Sequence, residues 1–196
     1  MSLCRCIPDN MKQSGVCAYV KAVPYDSDKP DSVPDKLIFF MKHKHDKRAS
    51  YFAAEQLCDV TVRAIIDSGA NLENSVITYV PRRRSAVAED GFDQAELLAK
   101  NISGMINVPC ERVIERKSDG KAQKKLNAED RRKNVQTAFG LADGADVLGK
   151  AVVIVDDVVT TGESLSQCAE IVTNAGADKV ICVSLGKTNR KNHTPR

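Results

Sequence analysis

The chain alternates short β-branched runs with longer stretches of helical spacing. Ala53, Leu57, Val60 and Ala64 fall at i, i+4, i+7 and i+11, the buried face of a helix that Ser68-Gly69 ends. Val76 to Val80 predicts a strand cut by Pro81. Ala95, Leu98, Ala99, Ile102 and Ile106 predict a second helix, with Asp93 near its start. Val108 to Ile114 predicts the next strand, and Val152 to Val155 a buried one. Leu165, Cys168, Ala169 and Val172 share one face of a further helix; Gly176 stops it, and Val180 to Leu185 forms the last strand. Strands alternating with helices predict an α/β fold with a mostly parallel central sheet. Ligands of such sheets bind at the carboxyl ends of the strands.

Two regions break the alternation. Residues 1–36 are rich in Pro, Asp, Ser and Lys and predict a small, irregular N-terminal hood. Residues 115–134 are almost wholly polar and too long for a tight connection, the mark of a functional or unstructured loop. The expected organisation is therefore hood 1–36, main domain 37–187 and basic tail 188–196.

Composition changes this picture little. The 196 residues are 42% hydrophobic and 28% charged, ordinary globular values for one domain. No apolar run approaches the ~20 residues of a membrane helix, and MSLCRCIPDN lacks the apolar segment of a secretory signal. The expected location is the cytoplasm, with no membrane partner. A net charge of +3 is too mild to argue for nucleic acid. The seven cysteines are an odd number; Cys58, Cys168 and Cys182 fit small buried hydrophobes.

Candidate chemistry concentrates in residues 151–165, AVVIVDDVVTTGESL. An apolar strand runs into Asp156 and Asp157; Val158 and Val159 follow, then Thr160, Thr161, Gly162, Glu163 and Ser164 open a helix. A helix N-terminus offers backbone N–H groups, and its hydroxyls suit a phosphate. Two carboxylates beside it suit vicinal hydroxyls, a metal, or both. Sugar hydroxyls next to a phosphate describe a ribose phosphate. A P-loop NTPase would need G-x-x-x-x-G-K-[ST]; Gly186-Lys187-Thr188 ends that pattern, but Ile181 stands at its first Gly. A receiver domain would place its acidic pair after the first strand, and the Rossmann G-x-G-x-x-G is absent.

Residues 151–165 resemble the ribose-phosphate motif of type I phosphoribosyltransferases. Val80 to Arg84, Gly91 to Ala99, the Arg116–Asn134 stretch and Ala138-Phe139 are similar in order and spacing to the ComF family, which is linked to DNA uptake. The resemblance covers about residues 37–187 and implies the type I phosphoribosyltransferase fold. It implies that Asp156 and Asp157 bind the ribose hydroxyls of phosphoribosyl pyrophosphate (PRPP) and contact Mg²⁺ mostly through the ligand. Val158 and Thr160, Thr161, Gly162, Glu163 and Ser164 would hold the 5′-phosphate. Pro81, Arg82 and Arg83 would form the pyrophosphate loop, and Arg116 and Arg131 the closing loop of a Mg²⁺-dependent transferase with an unassigned acceptor. A non-catalytic PRPP- or nucleotide-binding regulator is the alternative, and a DNA-uptake accessory binding nucleic acid through the basic loop and tail is a third. A homodimer is left open.

Two positions depart from the ComF pattern. Asp90 stands where Arg usually precedes Gly-Phe, and Asp93 where Asn usually follows. Asp93 keeps a helix-capping role. The usual cysteine pairs are reduced to Cys4, Cys6 and Cys17, so a closed four-ligand zinc site is not expected; His43 and His45 suit a solvated face.

Overall fold

A computed structural model describes residues 7–25, 33–44, 46–117 and 138–188. Among the described residues four strands form the central sheet: β1 (Val16–Tyr25), β2 (Ser75–Tyr79), β5 (Ala151–Val159) and β6 (Lys179–Thr188). All pairings are parallel, in the order β1-β6-β5-β2. Two short strands, β3 (Ile114–Arg116) and β4 (Phe139–Leu141), pair antiparallel beside it. The helices are α1 (Asp9–Gln13), α2 (Val33–His43), α3 (Lys47–Asp67), α4 (Arg84–Asp90), α5 (Gln94–Ile106) and α6 (Glu163–Asn174). The expected α/β architecture with a parallel sheet flanked by helices is what the chain forms.

β5 shows why the sheet is buried on both faces. Its side chains alternate, so Val153 and Val155 enter the core under α3 and α5, while Val152 and Ile154 enter the core under α6. Both cores are apolar; Leu57, Ile65, Leu98 and Ile102 fill the first, and Leu165, Cys168 and Val172 the second. A run buried on both faces carries no polar alternation, which is why it reads as a continuous apolar segment.

Three expectations need correction. The N-terminal stretch is not wholly irregular: α1 and the ten-residue β1 lie within it, and β1 is an edge of the sheet. Lys21 and Pro24 interrupt its apolar pattern, and an edge strand tolerates both. The strand expected over Val108–Ile114 is only an isolated bridge, Ile77 with Cys110, before β3 begins at Ile114. Pro109 has no N–H for a ladder, although its carbonyl accepts from Ile77 N at 2.8 Å. Finally, β5 does not end at the acidic pair; it continues beside β6 to Val159.

Candidate functional site

The site is assembled at the carboxyl edge of the sheet. β5 carries Asp156 and Asp157 there, and Val80 N donates to Val155 O at 2.9 Å, which brings the end of β2 and Pro81 alongside. Across the two aspartates the pleat is interrupted. Val158 packs toward the α3–α5 core and Val159 toward the α6 core, the reverse of the order set by Val152 to Val155. The carboxylates take part in this bend: Asp156 Oδ1 accepts from Asp157 N at 2.9 Å, and Asp157 Oδ1 accepts from Val158 N. Both residues are half-buried.

A cleft of about 80 Å³ follows, lined by Asp156, Val158, Thr160, Thr161, Gly162 and Glu163 with their neighbours to Leu165. Thr160, Thr161, Glu163 and Ser164 are exposed at its mouth, while Gly162 is buried at its base. Gly162 precedes α6 with φ +81° and ψ 5°, left-handed backbone that suits glycine. No side chain caps the helix there, so its N-terminal dipole faces the cleft. Glu163 N lies 3.4 Å from Thr161 Oγ1. The residues expected at the 5′-phosphate all line this one cleft, whereas Asp157, Pro81, Arg82, Arg83 and Arg116 do not.

Sequence reasoning missed what lies beneath the turn. α1 packs on the start of α6: Asn10 Nδ2 donates to Thr161 O at 3.4 Å, and Ser166 Oγ donates to Asn10 O at 2.9 Å. Ser14 Oγ and Ser166 Oγ are 2.6 Å apart. Met11 is fully buried, and a Cβ on Gly162 would stand 2.6 Å from its Cε. The segment Pro8-Asp9 carried a faint helix-start signal, a proline before an acid, too short to register as periodicity.

The expected pyrophosphate loop is held by α5. Asp93 caps that helix, its Oδ1 accepting from Ala95 N at 3.0 Å and Glu96 N at 3.3 Å, and its Oδ2 accepts from Arg82 N at 2.9 Å. Burial pushes the Asp93 carboxyl above its ordinary range, although these three N–H groups pull it back. Arg82 Nη1 donates to Asp90 Oδ2 at 2.6 Å and to Gln94 Oε1, and Gln94 Nε2 donates to Asp90 at 3.2 Å. Arg83 is exposed at the start of α4.

Arg116 joins the two halves. Its guanidinium stacks over Phe139 at 4.9 Å, and its Nη1 donates to Pro81 O at 3.4 Å. The charges of Asp156 and Arg116 reach Cys168, whose thiol is pushed well up, chiefly by burial and next by Asp156. Arg131, most of the 115–134 loop, Cys4, Cys6 and His45 lie outside the described residues.

The donor set bears on a metal. Among the described residues, no three His, Cys, Asp or Glu side chains gather as a cation cage. A magnesium ion that takes its ligands chiefly from a substrate's phosphates needs only one or two protein carboxylates. Asp156 and Asp157 fit that demand.

The chain belongs to the phosphoribosyl transferase domain family, whose model matches residues 86–196. It is 32% identical over 92 residues to Competence protein F of Haemophilus influenzae, covering 46% of this chain and 40% of that protein. It is 33% identical over 114 residues to DNA utilization protein YhgH of Escherichia coli O157:H7, covering 58% of this chain and 49% of that protein. The chain thus spans about half the length, or less, of these two curated relatives. Among solved structures it is similar to the glutamine PRPP amidotransferase of B. subtilis complexed with ADP and GMP, at 22% identity and TM-score 0.42, covering 56% of this chain and 22% of that one. The resemblance read from the sequence, to type I phosphoribosyltransferases of the ComF kind, is borne out. No described helix is long and apolar enough to cross a membrane.

Proposed function

We propose that this protein binds PRPP with Mg²⁺ and transfers its ribose 5-phosphate to an acceptor. One observation carries the reading: Asp156, in the last half of β5, and a glycine-based helix N-terminus line a single small cleft. The backbone N–H groups and hydroxyls of Thr160 to Ser164 bind the 5′-phosphate. Asp156 and Asp157 accept from the ribose hydroxyls. The bond between C1′ and the pyrophosphate oxygen breaks, a bond forms from C1′ to the acceptor, and pyrophosphate leaves. Positive charge builds on the sugar and negative charge on the leaving group. Bound magnesium supplies charge neutralisation of the pyrophosphate. On the protein side, Arg116 stands beside Pro81, where the leaving group exits, and the family resemblance assigns Arg131 to the same work. The protein's location in the cytoplasm, a homodimer, and a role in handling DNA belong to the same proposal.

A second reading has its own observation. Asp90 pairs with Arg82, so a cation of the expected pyrophosphate loop is already matched by a carboxylate. That pairing favours a module that binds PRPP or a nucleotide and regulates without turnover. Two measurements separate the readings. PRPP with Mg²⁺ should raise the melting temperature under both; a ligand at 100 times its Kd adds about 2.7 kcal/mol. Only the enzyme releases pyrophosphate when acceptor bases are supplied. The double variant Asp156→Asn/Asp157→Asn should stay folded and lose the thermal shift; a retained shift refutes the assignment of these carboxylates.

A further inference from the structure

The contact between Arg82 and Asp90 is the least expected feature of the site. Asp90 is the last residue of α4, and Gly91 turns the chain away at φ +79°. An acid at a helix C-terminus opposes the helix dipole, so capping does not explain it. What it does instead is accept from Arg82 Nη1 at 2.6 Å and from Gln94 Nε2 at 3.2 Å. Gln94 Oε1 accepts from the same Arg82 nitrogen, which closes a three-membered cluster. Arg82 is 31% and Asp90 27% exposed, so a ligand can reach the pair, while water does not fully screen it. The Arg82 amide is taken as well, by Asp93 at 2.9 Å. The loop that follows β2 therefore directs both its guanidinium and an N–H into the protein's own carboxylates.

We propose that Asp90 is an internal counter-ion that occupies the place of a ligand's pyrophosphate on Arg82, and that residue 90 sets how strongly the site holds the pyrophosphate end of its ligand. The inference rests on the reading of the cleft as a ribose-phosphate site. Two anions compete for one planar cation, whose fork pairs with a carboxylate or a phosphate but not fully with both. The ribose-phosphate end is untouched, because it binds at Thr160 to Ser164 on another element. A site of this kind holds a ligand bearing one phosphate nearly as well as one that also bears a pyrophosphate.

The test is calorimetric titration of the full chain with three probes: ribose 5-phosphate, PRPP with Mg²⁺, and inorganic pyrophosphate. In Asp90→Asn the affinity for PRPP and for pyrophosphate should rise about tenfold, the scale of one charge-assisted contact set free. The affinity for ribose 5-phosphate should stay within about twofold, well below that scale. Unchanged or weaker PRPP binding overturns the inference while leaving the cleft assignment intact. Equal tightening of all three probes also overturns it, since that is a general charge effect. If the unaltered protein binds neither ribose 5-phosphate nor PRPP, the ribose-phosphate reading falls and this inference with it. Asp90→Ser, smaller and also uncharged, gives the same readout should the amide disturb α4.

Discussion

Gly162→Ala isolates the contact that supports the turn before α6. Gly162 sits at φ +81°, where an L-residue costs about 1–2 kcal/mol. Shortening the list of unfolded conformations returns about 0.4–1 kcal/mol of that. The new Cβ also arrives 2.6 Å from Met11 Cε, so the thioether must leave its rotamer, at about 0.5–1.5 kcal/mol. Gly91 is the control, because φ is +79° and a Cβ there meets nothing within 4 Å. Gly91→Ala should therefore cost about 1 kcal/mol and Gly162→Ala about 2 kcal/mol. For a chain of this length the difference is about 2–4 °C in Tm, and urea unfolding should show it as a midpoint shift at constant slope. The surplus at Gly162 must vanish in a Met11→Ala background, although Met11→Ala alone costs roughly 2–5 kcal/mol for its cavity. If Gly162→Ala costs no more than Gly91→Ala, or if the surplus survives without the Met11 side chain, α1 does not brace the turn.

Asp93→Ala removes a cap and the Arg82 N–H acceptor together, so urea unfolding should show a loss of about 1–2 kcal/mol, with Asn losing less. The Asp93 carboxyl is raised by burial above its ordinary 3.8, so the folded protein binds its proton more tightly than the unfolded chain does. Its contribution to stability is therefore greatest in acid and falls as pH rises from 3.8 through the raised value; relative to Asp93→Asn, the unaltered protein should lose ground across that window. Among the described cysteines, exposed Cys17 should alkylate first, with a rate that climbs into alkaline pH because burial of its sulfur raises the thiol. Cys168 and Cys182, both fully buried, should react only on unfolding; mass spectrometry of iodoacetamide-treated protein reads each site.

The parts of this site that were legible in the sequence are those where chemistry and periodicity coincide on one segment. Val152 to Ser164 combines an apolar strand, two acids and a glycine turn, and of these Asp156 and Val158 to Ser164 line one cleft. Asp93 was legible as a cap because the apolar spacing of α5 begins just after it. What was not legible depends on contacts between distant segments. α1 has too few residues for a periodic pattern, and its hold on Thr161 spans 151 positions. β1 was hidden because an edge strand needs no unbroken apolar run. Asp90 was noticed only as a departure; its meaning required the fold to bring Arg82, eight positions earlier, into contact with it.

The charge distribution then follows from topology. At the carboxyl edge of the central sheet the acids lie on β5 and the arginine loop follows β2, while Arg116 comes from β3 in the small second sheet. β2 pairs with β5 directly, Tyr79 against Val155. That pairing sets the arginine loop beside Asp156 and Asp157, with no strand between them. The same pairing leaves a cationic loop close to two carboxylates before any phosphate is bound. On α4, Asp90 accepts from the Arg82 guanidinium, and Gln94 of α5 donates to the same carboxylate. A substrate carrying both phosphate groups would supply the negative charge that this arrangement lends to Arg82 from within. Loss of the Arg82–Asp90 contact on PRPP binding, followed by the resonances of the arginine side chain, would therefore be the direct sign that ligand and protein exchange the same partner.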